Sequence, residues 1–396
     1  PVFHGLSHVL TRLPFGRRTN CIGGPVASLR EQGRELLDGA GVTVGGDQPH
    51  DIQIHDDRFW RRVLRDRELG LGEAYQEGWW DAIRVDEFLV RVLTADLRSA
   101  IRASPALLLN MLRSNFVNRQ TIHRAGHNAR AHYDIGNDLY LRMLGPEMVY
   151  SCARWDEADS LEAAQAAKLD LVCQKLHLEP GMRILDIGCG WGSFARHAAT
   201  HHGAVVVGIS PAAEQVDEAR KRAGDLPVEF RQQDYREVAG TYDRIVSIGM
   251  MEHVGPRNYG TFFERCGDLL EPNGLMLHHT IGSNESTQSV DTWFDRYIFP
   301  GGVVPSLHQI AGASQPRWAV EDVQNLGPDY DRTLLAWHAN IEARWEEIPH
   351  YDERFRRTWR YYLLSSAASF RIRNLQLFQI VFRRTGRISA VYDGVR

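Results

Sequence analysis

The most constraining feature of the sequence is the alternation of short apolar runs with helical segments between residues 181 and 282. The predicted strands are MRILDIG, AVVVGIS, VEFRQQD, YDRIVSIG and LMLHHTIG, and the predicted helices between them are SFARHAATHHG, AAEQVDEARKRAG and YGTFFERCGDLLEPNG. Strands this apolar are buried on both faces, and strands separated by helices pair in parallel. We therefore predict an α/β fold with a mostly parallel sheet covered by helices on both faces.

One turn in this region has the glycines of a ligand-binding loop. The stretch LDIGCGWG, residues 185–192, follows a predicted strand, opens a predicted helix and contains three glycines. Glycines in this position let backbone amides approach a ligand and let the helix pack tightly on the strand. A dinucleotide is the first ligand to consider, but the next strand ends in Ser210 and Pro211, where a nicotinamide site would have an acid for the ribose.

The same stretch resembles motif I of the class I S-adenosylmethionine-dependent methyltransferases, in which the turn holds the methionine part and the ribose of the cofactor. In that superfamily an acid near the adenine often follows the third strand, and Asp234 of RQQDY occupies this place. The resemblance implies a Rossmann-like fold with a mostly parallel seven-stranded sheet. It also implies S-adenosylmethionine as the cofactor.

The sequence before this region predicts a small, mainly helical N-terminal domain over residues 1–105, a linker at 106–121 and a catalytic domain at 122–396. Apolar residues at helical spacing, with glycine breaks, predict three helices and a short strand. The helices are LREQGRELLDGAG, FWRRVLRDRELGLGEAYQEGWWD and VDEFLVRVLTADL, and the strand is DIQIH. Three tryptophans in this domain form its core or face lipid; they are Trp60, Trp79 and Trp80.

Composition excludes several classes of protein. The five cysteines are scattered without CxxC pairs, which argues against a disulfide framework and against a zinc site, so no metal is predicted. A net charge of −4 argues against a generally basic nucleic-acid binder. No apolar run reaches the roughly 18 to 20 residues of a membrane-spanning helix, and no secretory leader opens the sequence. We therefore expect a cytoplasmic protein.

Positive charge is concentrated locally and is mixed with aromatic residues. The segments are RFRRTWRYY (354–362), FRIRN (370–374), FRRTGR (382–387) and, near the start, TRLPFGRR (11–18). Such mixtures suit an anionic membrane surface, because arginine meets lipid phosphates while aromatic rings sit at the interface. They are equally typical of an ordinary solvated face along which arginine stems lie.

Longer segments extend the resemblance to one family, the bacterial cyclopropane-fatty-acyl-phospholipid synthases. The resemblance begins at about residue 30, so roughly the first 25 residues lie outside it. The segments that carry it are LGLGEAYQEGWWD, HYDIGNDLYLRML, VYSCARWDEADSLEAAQAAKLDLVCQKLHLEPGMRILDIGCGWG, YDRIVSIGMMEHVGPRNY, LHHTIGS, WFDRYIFPGGVVPSLHQI and GPDYDRTLLAWHANIEARW. This family transfers a methylene group from S-adenosylmethionine to the cis double bond of unsaturated acyl chains in phospholipids.

The resemblance also implies the site residues. The reaction needs a base, because a proton must leave the new methyl group before the ring closes, and the family is understood to use a bound bicarbonate ion. By resemblance this ion is held by Glu252, His279, Tyr330 and the backbone amides of Cys152 and Ile281. The cofactor residues implied in the same way are Tyr150, Ser151, Gly188, Gly190, Gly192, Ser210, Gln215, Gln233 and Asp234. His253 either contacts the cofactor or orients Glu252, and His278 is expected to be structural.

Two residues depart from the family pattern. Ser366 stands where many relatives have cysteine, so no thiol nucleophile is expected there, and Cys152 is expected to act through its backbone amide. Pro211 beside Ser210 is unusual and changes the local turn. Neither departure affects the residues expected to hold the base.

The expected partners are a phospholipid bilayer with an anionic surface and unsaturated acyl chains, met through the small lipid-binding domain, and a second copy in a homodimer. No nucleic acid is expected, and the protein would be peripheral at the inner face of the membrane. Three alternatives stay open. They are a methyltransferase giving methyl- or methylene-branched fatty acyl chains, a methyltransferase for a soluble small molecule, and a non-catalytic lipid-binding protein.

Overall fold

The computed structural model describes residues 29–95, 136–386 and 391–395. The predicted linker at 106–121 and the arginine-rich segment at 11–18 lie outside the described residues. Within these ranges no helix has the length and apolar character needed to cross a membrane.

The N-terminal part is mainly helical, as its periodicity predicts. Its elements are α1 (Leu29–Gly39), β1 (Gln53–Ile54), α2 (Arg58–Gln76), β2 (Trp80–Asp81) and α3 (Val85–Thr94), with β1 antiparallel to β2. Helix α2 is interrupted at Arg67, where φ is 53° and ψ is −126°. Trp60 and Trp80 are only 5% and 0% exposed, so these two tryptophans are part of the core.

The central sheet contains seven strands, as the resemblance implies. They are β3 (Arg183–Ile187), β4 (Val205–Ser210), β5 (Val228–Gln232), β6 (Tyr242–Ile248), β7 (Leu270–Ser283), β8 (Trp318–Asn325) and β9 (Leu375–Arg384). Their order across the sheet is β5-β4-β3-β6-β7-β9-β8. Only β9 runs against the other strands, because it pairs antiparallel with both β7 and β8. The α/β fold with a mostly parallel sheet is confirmed.

Helices pack on both faces of this sheet. They are α4 (Asn137–Leu144), α5 (Leu161–Lys175), α6 (Ser193–His202), α7 (Ala213–Ala223), α8 (Tyr259–Leu269), α9 (Thr292–Tyr297), α10 (Leu307–Ser314), α11 (Gly327–Glu342) and α12 (Glu353–Arg371). Helix α5 begins where it does because the Ser160 hydroxyl accepts a hydrogen bond from the Ala163 amide, which caps the free N-terminal turn. This cap fixes the position of a helix whose buried face reaches the centre of the molecule.

One predicted boundary is wrong. The sequence predicts a helix over residues 259–274, but α8 ends at Leu269 and β7 begins at Leu270. Glu271 precedes Pro272, and the residue before a proline is sterically disfavoured in the helical region. Strand β7 therefore starts early, with an irregularity in its pairing with β6 between Tyr242 and Arg244.

The arginines of α12 join the two parts of the chain. Arg357 donates hydrogen bonds to the Trp80 carbonyl at 2.9 Å and to the Asp81 carboxylate at 2.8 Å. Arg371 lies 2.9 Å from carboxylate oxygens of both Asp86 and Asp331. These basic residues of the segments at 354–362 and 370–374 are thus used within the protein. The small N-terminal part and the catalytic part also share one hydrophobic core.

Candidate active site

The glycine turn lies at the carboxyl end of β3, where open parallel sheets bind their ligands. Gly188 and Gly192 have φ values of +88° and +78°, in the region that other residues rarely adopt. A Cβ atom on Gly192 would collide with the ring of Phe230, so this position must be glycine for packing. The turn then leads directly into α6 at Ser193.

A cavity of about 160 Å³ lies against this turn. Eight of the nine residues predicted to contact the cofactor line it, and so does His253. The eight are Tyr150, Ser151, Gly188, Gly190, Ser210, Gln215, Gln233 and Asp234. The ninth, Gly192, is instead a packing position against Phe230. We call this cavity the cofactor pocket.

The polar groups at the β4 and β5 side of the cofactor pocket are held by neighbours. Asp234 accepts three hydrogen bonds from Arg236, one from its amide at 2.9 Å and two from its guanidinium at 2.8 and 2.9 Å. The Ser210 hydroxyl accepts from the Ala212 amide at 3.2 Å and lies 3.4 Å from Gln215 Oε1. These short-range bonds fix the shape of this side before any ligand enters.

The opposite side of the cofactor pocket contains a lysine that sequence reasoning missed. Tyr150 shares a hydrogen bond of 2.8 Å with the Tyr362 hydroxyl, and Ser151 accepts one from Lys168 Nζ at 2.9 Å. Lys168 and Asp186 are both buried and both line the pocket. A signal was present in the sequence, because Lys168 interrupts the apolar stripe of α5 that Leu161, Ala164 and Leu171 form at helical spacing.

Glu252 lies one turn beyond β6, in the short 3₁₀ helix Met251–His253. Its Oε1 accepts a hydrogen bond from the Ile281 amide at 2.6 Å, and its buried Oε2 has no hydrogen-bond partner among the described residues. Burial raises the pKa of Glu252 to about 7. The Ile281 amide, expected by resemblance to donate to bicarbonate, here donates to Glu252 because a buried carboxylate needs a donor.

His279 lies on β7, beside the end of β6. Gln379 Nε2 lies 3.3 Å from its Nδ1, so the amide donates to Nδ1 and the ring carries its proton on Nε2. Nε2 is buried and has no partner within the described chain. Burial lowers the pKa of His279 well below its ordinary value, so the ring is neutral and offers one N–H donor.

Tyr330 and Cys152 lie near β9, the strand that pairs with β7. Tyr330, on α11, is 8% exposed and packs against Phe370 with ring centroids 4.6 Å apart. The Cys152 thiol donates to the Leu326 carbonyl at 3.7 Å, and Leu326 hydrogen-bonds to Leu377, the β9 partner of Ile281. Burial raises the pKa of the Cys152 thiol well above its ordinary value, which argues against a thiolate nucleophile. We call Cys152, Glu252, His279, Ile281 and Tyr330 the Glu252 cluster.

The two sites are adjacent. His253, the neighbour of Glu252, lines the cofactor pocket, which favours cofactor contact among the two roles left open for it. Burial lowers the pKa of His253 to about 4, so it is neutral. His278 is fully buried among the rings of Phe262 and Phe263, as a structural residue would be.

Comparison with known proteins decides the family. A sequence model described as mycolic acid cyclopropane synthetase matches residues 120–380. The chain belongs to the mycolic acid cyclopropane synthetase family. Within this family it is 47% identical over 351 residues to the cyclopropane-fatty-acyl-phospholipid synthase of Escherichia coli, an alignment that covers 88% of this chain and 92% of that protein. The expected family resemblance is therefore confirmed.

Three further similar proteins are informative. The tuberculostearic acid methyltransferase UfaA1 of Mycobacterium tuberculosis is 32% identical over 377 residues, covering 87% of this chain and 86% of that one. The solved structure of the cyclopropane synthase MmaA2 from Mycobacterium tuberculosis has a TM-score of 0.62 and 31% identity, and covers 67% of this chain and 99% of that one. Another solved synthase, CmaA1, was determined with S-adenosylhomocysteine and is also 31% identical.

The cofactor pocket fits S-adenosylmethionine on its own geometry. One side presents a buried ammonium and a buried carboxylate, Lys168 and Asp186, which suit the charged amino-acid end of the cofactor. The other side presents Gln233 and Asp234 after β5, where the superfamily places the adenine. With the family established, the chain is an S-adenosylmethionine-dependent methyltransferase.

A separate polar cluster lies outside both sites. Ligand atoms of Cys173, His197 and His202 lie within 4.8 Å of one another, an arrangement that could hold a metal ion and that the scattered cysteines did not predict. Both imidazoles, however, already hydrogen-bond to Asp170 Oδ1, at 2.9 and 3.3 Å. This pairing accounts for the cluster as a set of contacts between α5 and α6.

Proposed function

We propose that this protein is a cyclopropane-fatty-acyl-phospholipid synthase. It transfers a methylene group from S-adenosylmethionine to the cis double bond of unsaturated acyl chains in membrane phospholipids, giving cyclopropane chains and S-adenosylhomocysteine. The observation that carries the proposal is the Glu252 cluster, a buried set of proton-handling groups one residue away from the lining of the cofactor pocket. The 47% identity to the Escherichia coli synthase supports the same substrate class.

The chemistry explains why such a cluster is needed. An alkene is a weak carbon nucleophile, so holding it in line with the sulfonium methyl group lowers the barrier mainly through orientation. Attack leaves positive charge on an alkene carbon, from which water must be excluded. A proton must then leave the transferred methyl group as the ring closes, and this requires a base.

The residues of the Glu252 cluster fit a small anion such as bicarbonate. His279 Nε2–H is a buried donor and Glu252 Oε2 is a buried acceptor, and neither has a hydrogen-bond partner among the described residues. An ion that carries both oxygens and a hydroxyl would satisfy both groups, with Tyr330 and the Cys152 amide as further donors. Bicarbonate held there would supply the base. Glu252 would then accept its hydroxyl while His279 fixes its orientation.

A second cavity supports a lipid substrate. It has a volume of about 440 Å³ and lies between the small N-terminal part and the catalytic part. Its lining is largely aromatic and aliphatic and includes Phe59, Trp60, Leu71 and Phe88 from one part and Phe294 and Tyr361 from the other. We infer that acyl chains enter through this region. The small N-terminal part then contacts the inner face of the membrane. We also propose that two copies of the protein form a homodimer.

One alternative product has a specific observation in its favour. UfaA1, at 32% identity, is named for a branched-chain product, so the same fold also serves methyl-branching chemistry. Ring and methylene branch add the same mass, so mass alone does not separate them. Proton NMR of lipids from cells that express the protein does, because cyclopropane protons resonate at unusually high field. Vinylidene signals without cyclopropane signals would replace our proposal with the branched product.

A reconstituted assay tests the substrate and the base together. The purified protein, labelled S-adenosylmethionine and vesicles of unsaturated phospholipid should give labelled lipid, whereas vesicles of saturated phospholipid should not.

Co-sedimentation with anionic vesicles tests the membrane contact, and sedimentation equilibrium tests the homodimer. Turnover should fall when bicarbonate is removed from the buffer and recover when it is restored. If turnover does not depend on bicarbonate but is lost in Glu252→Gln, Glu252 itself is the base.

A further inference from the structure

Lys168 is a buried cation without an ion-pair partner. Its side chain is 1% exposed, and its Nζ donates one hydrogen bond, to the neutral Ser151 hydroxyl at 2.9 Å. An ammonium group has three donors, and burying it without a nearby negative charge is unfavourable. Among the described residues no carboxylate forms an ion pair with Lys168. The described residues therefore provide no carboxylate in contact with this charge.

The same helix shows how the chain treats a buried lysine that serves structure alone. Lys175 lies two turns after Lys168 on the same face of α5 and is 0% exposed. Its Nζ lies 3.1 Å from the buried carboxylate of Asp322. Lys175 does not line the cofactor pocket, whereas Lys168 does. The lysine that reaches the pocket is the one that lacks a carboxylate partner.

The pocket beside Lys168 also presents the opposite charge. Asp186, at the end of β3, is 2% exposed, and its Oδ2 has no hydrogen-bond partner in the described chain. Lys168 and Asp186 influence each other but are not in contact as a salt bridge. A ligand with a carboxylate and an ammonium on one carbon would compensate both groups. The methionine end of S-adenosylmethionine is such a ligand.

We propose that Lys168 binds the carboxylate of the cofactor's methionine part and so selects cofactors that carry this group. The Ser151 hydroxyl accepts a hydrogen bond from Lys168 Nζ and so orients the ammonium group of Lys168. This inference rests on dependence on S-adenosylmethionine and on the cofactor pocket, and it is independent of the bicarbonate base. Loss of the bicarbonate proposal would leave it intact.

The charge state of Lys168 is compatible with this role. Burial lowers the pKa of Lys168 to about 8, so the group is mostly charged at neutral pH. The titratable groups that face it are Asp186 of β3, His279 of β7, Cys173 of α5 and Cys152. Burial raises the pKa of both thiols and lowers that of His279, so these three are neutral, whereas the pKa of Asp186 is raised to about 7. Above pH 8 only Lys168 among them changes charge.

The test compares two ligands that differ in the carboxylate alone. S-adenosylhomocysteine and its decarboxylated analogue, in which hydrogen replaces the carboxylate, are titrated into the protein by calorimetry. Wild type should prefer S-adenosylhomocysteine by at least about tenfold, and Lys168→Met should abolish that preference by weakening only the carboxylate ligand. Equal weakening of both ligands, or an unchanged preference, would overturn the proposal.

Lys175→Met is the matched control, because it removes the other buried lysine of the same helix. It should lower the melting temperature and leave the preference between the two ligands unchanged.

If Lys168→Met does not fold, the pH dependence of ligand binding by the wild-type protein tests the proposal. Its affinity for S-adenosylhomocysteine should fall by about tenfold per pH unit as Lys168 deprotonates above about pH 8, and that for the analogue should not. Parallel pH profiles for the two ligands would contradict the assignment.

Discussion

The β4 and β5 side of the cofactor pocket and the Glu252 cluster are neighbours, but they are built in opposite ways. In the pocket, Asp234 is held by Arg236 two residues away, and Ser210 is bound by the amide of Ala212. In the cluster, Glu252 lies just after β6 and His279 lies on β7, and each keeps a buried polar atom without a partner in the described chain. Short-range bonds give the pocket a fixed shape, whereas the cluster retains unsatisfied groups that suit proton transfer.

Substitution of Glu252 should separate the two sites most clearly. We expect Glu252→Gln to reduce turnover by at least about 100-fold, because an amide is not a base at neutral pH and has one acceptor oxygen where the carboxylate has two. Affinity for S-adenosylhomocysteine, measured by calorimetry, should stay near that of wild type. Glu264→Gln, at an exposed position on α8, is the matched control and should retain full activity. Wild-type turnover in Glu252→Gln would remove Glu252 from the mechanism.

Substitution of Asp234 should give the converse result. Asp234→Ala removes the carboxylate that caps the turn Tyr235–Glu237 and holds Arg236, so the β5 side of the pocket loses its fixed shape. We expect affinity for S-adenosylhomocysteine to fall by about tenfold, as loss of a charged hydrogen bond would give. Turnover at saturating cofactor should change little. A large loss of turnover with normal affinity would mean that the two sites are not separable in this way.

The pH dependence of stability is a further test of the comparison between the two sites. The Glu252 cluster contains a buried glutamate, and the lining of the cofactor pocket does not. The pKa of Glu252 rises on folding from 4.5 to about 7, so the folded state holds this proton more tightly and loses stability as pH rises through that interval. Glu252→Gln removes this penalty. Its melting temperature at pH 8 should exceed that of wild type by roughly 2–4 °C, and the difference should vanish near pH 4.5. A difference that does not depend on pH would contradict the assigned pKa shift.

The smallest effect is expected at Ser366. This residue is 8% exposed on α12, and neither site depends on its hydroxyl for a described hydrogen bond. Ser366→Cys introduces the thiol that the family resemblance implies at this position, and turnover should remain within about twofold of wild type because no thiol nucleophile is needed. A gain of tenfold or more would show that a thiol there assists the reaction.

The difference between the sites also explains what the sequence could predict. The turn LDIGCGWG and the alternation of strands and helices around it are local patterns, so the sequence predicted a ligand-binding turn in a mostly parallel sheet, and the resemblance added Asp234. The Glu252 cluster was predicted only through family resemblance, because Cys152 and Tyr330 are 178 positions apart and no local pattern joins them. The bond from the Ile281 amide to Glu252 was not predictable, since it depends on how two strand ends meet.

Local patterns also failed where long-range contacts decide. The segments rich in arginine around α12 did not reveal whether they face lipid or protein. In the structure Arg357 and Arg371 reach carboxylates of the small N-terminal part, which a sequence pattern cannot indicate. Lys168 was missed for a related reason. A lysine within an apolar stripe is visible in the sequence, but only the structure distinguishes it from Lys175, which has Asp322 as its partner.

The contacts of α12 constrain how this chain can be recombined with its relatives. Arg357 hydrogen-bonds to Trp80 and Asp81, and Arg371 pairs with Asp86, so the helix supplies polar contacts to the interface that seats the small N-terminal part. A chimaera that takes residues 29–95 from another family member would separate these arginines from the partners that match them. Exchange of the small N-terminal part therefore requires that α12 be exchanged with it.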